Sequence, residues 1–467
     1  MPRTSFMVAQ GIDRYLERYA EPMVSELRED LQTALHSTYA YVLVIPLFDE
    51  ALNCLNTVLP AGMSHTLTIG VVNAAVDADP AAILRTQAFL AQFSPQSPGT
   101  VIHQSSGNTL LLIDCCTAQR QLPRKQGVGL ARKIGGDIAL ACIADGRVDS
   151  PWIHCTDGDV VLPDNYFETP KLAPDVAVAI YPFCHHPPHD DIVRYEISLR
   201  YYVTALAQAG SPYAFQTIGS LLKINAAHYA MVRGFPKLQA AEDFYMLNKL
   251  AKTGKVIRLN QPEVMLSSRI SQRVPFGTGA AMARLSRNEA MHLYHPQIFI
   301  ALHRWLQLDQ WLWDELRAMC SEPSEVHTHL HMWWQQQALS DALLQTLLYL
   351  KVDHALAQAF RQCRDFTHFR FFLHVWFDAF RTLKFIHYQR DQYWPSLEIV
   401  EAMVQSGEGQ PQFPSKCIKY SSAERKQAKW QSSQDFLNIL QHLQWKESRL
   451  PAAVGPTCWK STHRSDG

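Results

Sequence analysis

The order of hydrophobic and polar positions divides the chain into two parts of different character. From residue 38 to 285, short runs of β-type residues alternate with helical stretches, which predicts an α/β domain. From residue 286 to 450, apolar and aromatic residues recur at three- and four-residue spacing, which predicts an all-α C-terminal domain. Residues 1–37 are predicted to form an amphipathic helical extension, and the polar segment 451–467 a flexible tail.

Five runs of the first part are apolar on both faces, as expected for strands of a parallel sheet that is covered by helices. These runs are residues 39–46, 66–72, 109–113, 152–155 and 175–180. Helices are predicted at 126–144 and 192–207, and another begins with Asp79 as N-cap and Pro80 as first helical residue. The alternation predicts a mostly parallel, Rossmann-like sheet, in which ligands lie beyond the carboxyl ends of the strands.

Composition and charge argue against several classes of protein. The 467 residues include 43 Lys and Arg and 43 Asp and Glu, and a net charge of zero argues against a nucleic-acid-binding protein. No apolar run reaches the ~18 residues of a transmembrane segment, and the first residues lack the pattern of a signal peptide. The ten cysteines contain no CxxC pair, which favours a cytoplasmic chain with reduced thiols.

Two carboxylates follow the strand predicted at 152–155. Asp157 and Asp159 flank Gly158, and both can reach one hard divalent cation such as Mg²⁺ or Mn²⁺, which also binds phosphate oxygens. The alternative is a surface turn in which aspartate caps backbone N–H groups. Because Asp164 can supply such a cap a few residues later, the pattern favours a metal site.

A second carboxylate pair, Glu242 and Asp243, opens a predicted helix after the Gly-Phe-Pro sequence at 234–236. Carboxylates at a helix N-terminus are stabilised by the helix dipole in any protein, so capping is one interpretation. The other interpretation is a general base. The helix start also predicts a lowered pKa, which would keep Asp243 ionised at neutral pH.

Two basic segments that contain glycine suit the binding of phosphate groups. The segment 124–135 is a glycine-rich helix start with three glycines and four cations, among them Lys125 and Arg132. Arg132 stands where a dinucleotide-binding fingerprint has its third glycine, which argues against a nicotinamide cofactor. Further along, Arg269 and Arg273 precede a Gly-Thr-Gly sequence and are predicted to contact a leaving diphosphate. A solvated helix end and a plain surface loop remain the alternatives.

Taken in order, five segments resemble the glycosyltransferases of family 2, whose A-type fold binds nucleotide-sugars. The segments are IPLFDEA (45–51), VVNAAVDAD (71–79), KQGVGLARKIG (125–135), the Asp-Gly-Asp motif (157–159), and RGFP (233–236) with the Glu-Asp pair (242–243). The resemblance covers about residues 40–260. The loop at 267–279 also resembles that of bacterial enzymes related to glucosyl-phosphoglycerate and mannosylglycerate synthases. The later Q/RxxRW signature of processive polymer synthases is absent from the sequence.

The resemblance implies a donor site made of matching residues. Pro46 and Glu50 would line the nucleotide pocket, Asn73 and Asp77 would lie near the base, and Lys125 and Arg132 would hold the nucleotide end. Asn73 stands where the family usually has aspartate, which leaves the identity of the base open.

The resemblance also implies a metal-dependent hexosyl transfer that inverts the sugar, with a retaining transfer as the alternative. Asp157 and Asp159 would bind the donor together with Mg²⁺ or Mn²⁺, with Asp159 as the more direct ligand. Asp243 would deprotonate the acceptor hydroxyl. Glu242 would have an orienting role or cap the helix. The expected partners are a nucleotide-sugar donor and an unidentified small-molecule or glycan acceptor, with a homo-oligomer possible. The alternatives are a glycoside hydrolase with paired carboxylates and a non-catalytic binding protein with a degenerate domain.

Overall fold

The computed structural model describes residues 3–35, 37–95, 98–269, 290–406 and 433–460. Its internal contacts divide the chain into two compact units. The first unit comprises Met1–Pro187 and Thr217–Ala280, and the second comprises Pro188–Gln216 and Ala281–Gly467. The segment 188–216 therefore belongs with the C-terminal half of the chain, although the sequence places it inside the first domain.

The first unit is an α/β structure built on a mostly parallel sheet. Its described strands are β1 Tyr41–Leu47, β2 Thr66–Asn73, β3 Gly99–His103, β4 Thr109–Cys115, β5 Trp152–Cys155, β6 Val176–Ile180, β7 Phe183–His186, β8 Leu222–Asn225, β9 Lys255–Arg258 and β10 Val264–Ser267. The main sheet has the order β9-β6-β8-β5-β1-β2-β4-β3, and β7 pairs with β10 separately. Strand β1 is parallel to both β2 and β5, β2 to β4, and β6 to β9, whereas β3 and β8 are antiparallel to their neighbours. The predicted fold class is confirmed.

Of the first eight α-helices described, seven belong to the first unit, and α6 belongs to the second. In chain order they are α1 Arg3–Arg18, α2 Pro22–Ala34, α3 Cys54–Val58, α4 Pro80–Ala91, α5 Gly127–Ala144, α6 Asp190–Gln208, α7 Ala226–Met231 and α8 Glu242–Leu250. The start of α4 is confirmed, because the Asp79 side chain accepts a hydrogen bond of 3.0 Å from the backbone N–H of Ala82. Helix α5 packs on β1 and β2.

The apolar pattern identified the central strands and missed the weaker ones. The five predicted runs correspond to β1, β2, β4, β5 and β6, within about two residues at each end. Strands β3, β7, β8, β9 and β10 were not expected. Strands β3, β7, β9 and β10 each leave some side chains partly or fully exposed, so they lack the two-sided apolar pattern.

The N-terminal helices α1 and α2 are part of the first unit and pack on α5 and α7. A buried polar network joins them to α5. The Tyr15 hydroxyl donates to Asp137 Oδ1 at 2.5 Å, and the Tyr229 hydroxyl donates to the same oxygen at 2.8 Å. Lys133 Nζ donates to Tyr15 at 2.7 Å and to Asp137 Oδ2 at 3.0 Å. We call Tyr15, Lys133, Asp137 and Tyr229 the N-terminal lock.

The second unit is helical, as the periodicity predicts. Besides α6, its described helices are Pro296–Leu306, Asp309–Trp311, the π-helix Leu312–Leu316, Arg317–Met319, Val326–Gln336, Asp341–Tyr349, Val352–Gln362, Phe366–Trp376, Ala379–Gln392, Ile399–Gln405 and Ser433–Ser448. Short strands β11 His292–Leu293 and β12 Leu397–Glu398 form an antiparallel pair, and β13 is Ala453–Val454. Trp305, Trp333 and Trp334 are nearly fully buried, so these aromatic residues are core.

Helix α6 was predicted at 192–207 as a connecting helix of the first domain, and the structure corrects this assignment. Its apolar side chains, such as Ile197 and Tyr201, join the core of the second unit with Phe299 and Leu302. Hydrophobic spacing predicts which face of a helix is buried, but it does not identify the partner. Over the described ranges, no helix combines the length and apolarity needed to cross a membrane.

Candidate active site

Three acidic residues follow the carboxyl ends of two neighbouring parallel strands. Glu50 lies three residues beyond β1, and Asp157 and Asp159 lie two and four residues beyond β5. A β-carbon at Gly158 would lie 2.8 Å from Glu50 Cγ, so only glycine allows the two turns to approach this closely. The structure therefore brings Glu50 and the 157–159 turn together at one edge of the sheet.

Arg269 lies two residues beyond β10 and links two of these carboxylates. Its Nη2 donates to Glu50 Oε1 at 2.9 Å, and its Nε lies 2.7 Å from Asp159 Oδ2. The backbone N–H of Val161 donates to the carbonyl oxygen of Met265 at 2.9 Å, which holds the segment after β5 beside β10. This pairing places Arg269 against the acidic turn.

Arg132 lies in the second turn of α5, and protein groups enclose its guanidinium. Nε donates to Glu242 Oε1 at 3.0 Å, Nη2 to Asp157 Oδ1 at 2.5 Å, and Nη1 to the carbonyl oxygen of Gly219 at 3.2 Å. A β-carbon at Gly219 would lie 2.5 Å from Nη2, so the arginine fits only beside glycine. Only 3% of the Arg132 side chain is exposed. Arg132 thus joins the turn after β5 to the start of α8, and its expected role at the nucleotide stays a prediction.

Glu242 and Asp243 begin α8 in different surroundings. Glu242 is buried and paired with Arg132, whereas Asp243 is half-buried and accepts a 2.7 Å hydrogen bond from the backbone N–H of Phe244. Burial and the Glu242 charge raise the pKa of Asp243 to about 7, although Arg132 and the Phe244 N–H oppose the rise. The expected lowering is wrong, because burial outweighs the helix start. A carboxylate with a pKa near neutrality is suited to accept and return a proton.

Burial also perturbs the acids beside Arg269. It raises the pKa of Glu50 to about 8, with Arg269 opposing the rise and Asp159 adding to it. Burial likewise raises the pKa of Asp159, and Arg269 again opposes. The carboxylate cluster, as we define it, is Glu50, Asp157, Asp159, Glu242 and Asp243. Among the described residues, Arg132 and Arg269 are ion-paired to this cluster.

The carboxylate cluster offers two aspartates, Asp157 and Asp159, to a cation such as Mg²⁺ or Mn²⁺. No group of three or more His, Cys, Asp or Glu side chains within the described ranges is arranged to hold a metal ion. Asp157 and Asp159 each pair with an arginine, yet 35% and 26% of their side chains are exposed. Mg²⁺ is commonly held by one or two carboxylates together with substrate phosphates. The two aspartates therefore fit a cation that is shared with a phosphate-bearing ligand.

The other predicted residues have varied environments. Pro46 is buried within β1, opposite Val71 of β2. Asn73 ends β2, is buried, and its Oδ1 has no hydrogen-bond partner among the residues that the structure describes. Asp77 and Lys125 are exposed. Within the same described ranges, no hydrogen bond or ion pair joins Asn73, Asp77 or Lys125 to the carboxylate cluster, so their roles stay predictions.

Lys133, another cation of the predicted basic segment 124–135, lies in a different environment. Lys133 is buried in the N-terminal lock, where it serves Tyr15 and Asp137. Lys133 and Asp137 are four residues apart on a mostly apolar helix, a local signal of a buried ion pair that the sequence analysis did not use. The tyrosines gave no such signal, because they are distant in sequence. Arg273 lies outside the described residues.

Two residues beside the cluster have left-handed backbone conformations, which the sequence did not predict. Asp49 and Ala241 have positive φ angles of 55° and 61°, and they directly precede Glu50 and Glu242. Non-glycine residues in this region are strained, and such strain concentrates at functional sites. Arg85 holds the first of these turns, since Nε and Nη2 donate to the two Asp49 carboxylate oxygens at 2.6 and 3.0 Å.

No known protein-family model and no curated protein matches this chain. Among solved structures, the chain is similar to S. aureus TarS, residues 1–349, in complex with UDP-GlcNAc. The two share 10% identity over 71% of this chain and 90% of that chain, with a TM-score of 0.31. A match at this TM-score carries no argument about this protein. What the molecule itself defines is an α/β unit with a carboxylate-rich site beyond the ends of parallel strands.

Proposed function

We propose that this protein is a glycosyltransferase that moves a sugar from a nucleotide-diphosphate sugar to a hydroxyl acceptor. The observation that carries the proposal is the carboxylate cluster with its two arginines beyond β1 and β5. Ligands of open α/β sheets bind at this edge. An acidic site with half-exposed aspartates suits a metal–diphosphate group, and a separate carboxylate with a pKa near 7 suits an acceptor hydroxyl.

Donor binding is assigned to Asp157, Asp159 and Arg269. The two aspartates would hold Mg²⁺ or Mn²⁺ together with the diphosphate. When bound, the cation supplies positive charge that stabilises the departing diphosphate. Arg269 adds a guanidinium on the same side of the cluster, where it can donate to phosphate oxygens.

Acceptor activation is assigned to Asp243. In an inverting transfer the acceptor oxygen bonds to the anomeric carbon, the bond from that carbon to the diphosphate oxygen breaks, and the hydroxyl proton passes to the Asp243 carboxylate. Glu242 is held by Arg132 and is therefore a positioning residue. Because Arg132 also holds Asp157, one buried side chain sets the places of the base helix and the acidic turn.

A thermal-shift screen tests the proposal. Nucleotide-diphosphate sugars are added to the full chain with and without Mn²⁺, and a stabilisation that needs both additives is expected. Asp159→Asn should remove this stabilisation. Asp145→Asn is the matched control, because Asp145 is also paired with an arginine, Arg28, at 2.5 Å, outside the cluster. A shift that Asp159→Asn leaves intact would contradict the assignment.

A glycoside hydrolase is the second candidate, and one observation favours it. The pKa of Glu50, raised to about 8 by burial, keeps this carboxyl protonated at neutral pH, as a general acid requires. Such a reaction needs no metal and no nucleotide. Sugar release from a simple glycoside in the presence of a chelator would favour the hydrolase, whereas nucleotide-dependent stabilisation favours the transferase.

A further inference from the structure

Arg269 contacts two carboxylates of the cluster, one of which the proposed metal site needs. Its guanidinium contacts Glu50 at 2.9 Å and Asp159 at 2.7 Å. Asp159 is the residue proposed above as the more direct metal ligand. A divalent cation and a guanidinium on the same carboxylate repel each other, and they compete for the same oxygen atoms. The site therefore already holds a positive charge of its own.

We propose that Arg269 sets the metal affinity of this site by acting as a tethered cation that competes with the divalent ion for Asp159. The inference rests on the proposed function, since it concerns the same metal and donor. Without donor, Arg269 balances the acidic cluster and metal binds weakly. When metal and diphosphate arrive together, Arg269 exchanges Asp159 for the phosphate oxygens.

The structure distinguishes Arg269 from Arg132, the other arginine that the described residues place at the site. The Arg132 side chain is 3% exposed and donates to two carboxylates and a backbone carbonyl, so it is fixed. The Arg269 side chain is 34% exposed and follows the short strand β10. Moving a partly solvated arginine costs less than moving a buried one, because water replaces its lost partners. Arg269 is thus the cation that can yield to a metal ion.

This exchange makes metal and donor bind cooperatively. A metal ion alone must displace Arg269 from Asp159 and leaves the guanidinium without that partner. A diphosphate offers the guanidinium new acceptor oxygens, so its presence lowers the cost of displacement. By linkage, Mn²⁺ should strengthen nucleotide binding by the same factor by which nucleotide strengthens Mn²⁺ binding.

The test measures Mn²⁺ binding in the absence of nucleotide, by the loss of the free-ion signal in electron paramagnetic resonance. Arg269→Gln should bind Mn²⁺ about tenfold more tightly than wild type, the scale of one charge-assisted interaction. Arg269→Lys keeps the charge and should bind no more tightly than wild type. The matched control is Arg85→Gln, which removes the same charge from the Asp49 pair next to Glu50 and should leave affinity within about twofold.

Four results would overturn the inference. Equal or weaker Mn²⁺ binding by Arg269→Gln would mean that Arg269 orients Asp159 rather than competing for it. Equal tightening by Arg269→Gln and Arg85→Gln would mean that only general charge matters. If wild type and all variants fail to bind Mn²⁺, with or without nucleotide-diphosphate sugars, the proposed metal dependence fails as well. Tightening by Arg269→Lys would contradict the inference even if Arg269→Gln proves unstable.

Discussion

The substitution Asp243→Asn tests the proposed base most directly. Asparagine keeps the size of the side chain and can still accept the hydrogen bond from the Phe244 N–H, but it cannot take up a proton. Loss of a general base typically lowers the rate about 10²–10⁴-fold, and we expect kcat to fall by such a factor. Donor Kd should change little, because Asp243 is assigned to the acceptor.

The pKa of Asp243 also predicts how the rate depends on pH. Burial raises this pKa to about 7, so the carboxyl is protonated in more acidic solution and cannot act as a base. The kcat/KM of the wild-type protein should therefore rise with pH through about 7 and then level off. The residual activity of Asp243→Asn should lack this rise.

The same pKa has the opposite consequence for stability. The folded protein keeps the Asp243 proton up to about pH 7, whereas an unfolded aspartate releases it near 3.8, so stability falls as pH rises through this window. A rise of about three pKa units corresponds to at most roughly 4 kcal/mol, and partial solvation of this half-buried group reduces the expected effect to about 1–2 kcal/mol. Asparagine has no charge to bury, so Asp243→Asn should raise the free energy of unfolding at neutral and higher pH.

Steady-state kinetics and urea unfolding, each at about pH 5 and about pH 8, check both consequences. Glu242→Gln is the comparison variant, since it removes the carboxylate that pairs with Arg132. It should destabilise the protein at both pH values, unlike Asp243→Asn. If Glu242→Gln is inactive while Asp243→Asn keeps near-normal kcat, the two roles are reversed. A product with retained anomeric configuration would contradict the base mechanism itself.

Three other substitutions test how the site is held. Arg132→Met removes the partner of a buried Glu242 and should cost about 3–5 kcal/mol in urea unfolding; a loss below about 1 kcal/mol would mean that the pair is solvated. Tyr15→Phe removes one hydroxyl of the N-terminal lock and should cost about 1–3 kcal/mol, and no change in the unfolding midpoint would contradict the lock. Gly158→Ala places a β-carbon 2.8 Å from Glu50 Cγ and should weaken Mn²⁺-dependent nucleotide binding in calorimetry; wild-type affinity would show that the turn can relax.

The sequence predicted the central strands of the sheet, but it did not predict the peripheral strands or the packing partner of α6. Strands β1, β2 and β4 were predictable because a strand buried on both faces must be apolar at nearly every position. Helix α6 was predictable as a helix but not as part of the second unit, because periodicity carries no information about long-range partners. The peripheral strands failed for a related reason, since their exposed residues break the pattern.

The candidate site shows the same division between local and distant information. Glu50, Asp157 and Asp159 were accessible to sequence reasoning because residues that follow neighbouring parallel strands must lie near one another. Arg132 and Arg269 were expected to bind nucleotide. Their ion pairs with the acidic residues could not be predicted, because the paired residues are far apart in the sequence. The pKa of Asp243 was predicted in the wrong direction, because the helix start is visible in the sequence whereas burial is not.

Helix α5 connects the carboxylate cluster with the N-terminal lock and fixes the angle between their contacts. Adjacent residues Arg132 and Lys133 point about 100° apart on the helix, one into the carboxylate cluster and the other into the N-terminal lock. A residue inserted between Arg132 and Lys133 would rotate one set of contacts by about 100° relative to the other, so both sets could not form on the same helix. We expect α5 to reject length changes in a scan for folded protein, whereas the exposed turn Ser105–Gly107 between β3 and β4 should accept them.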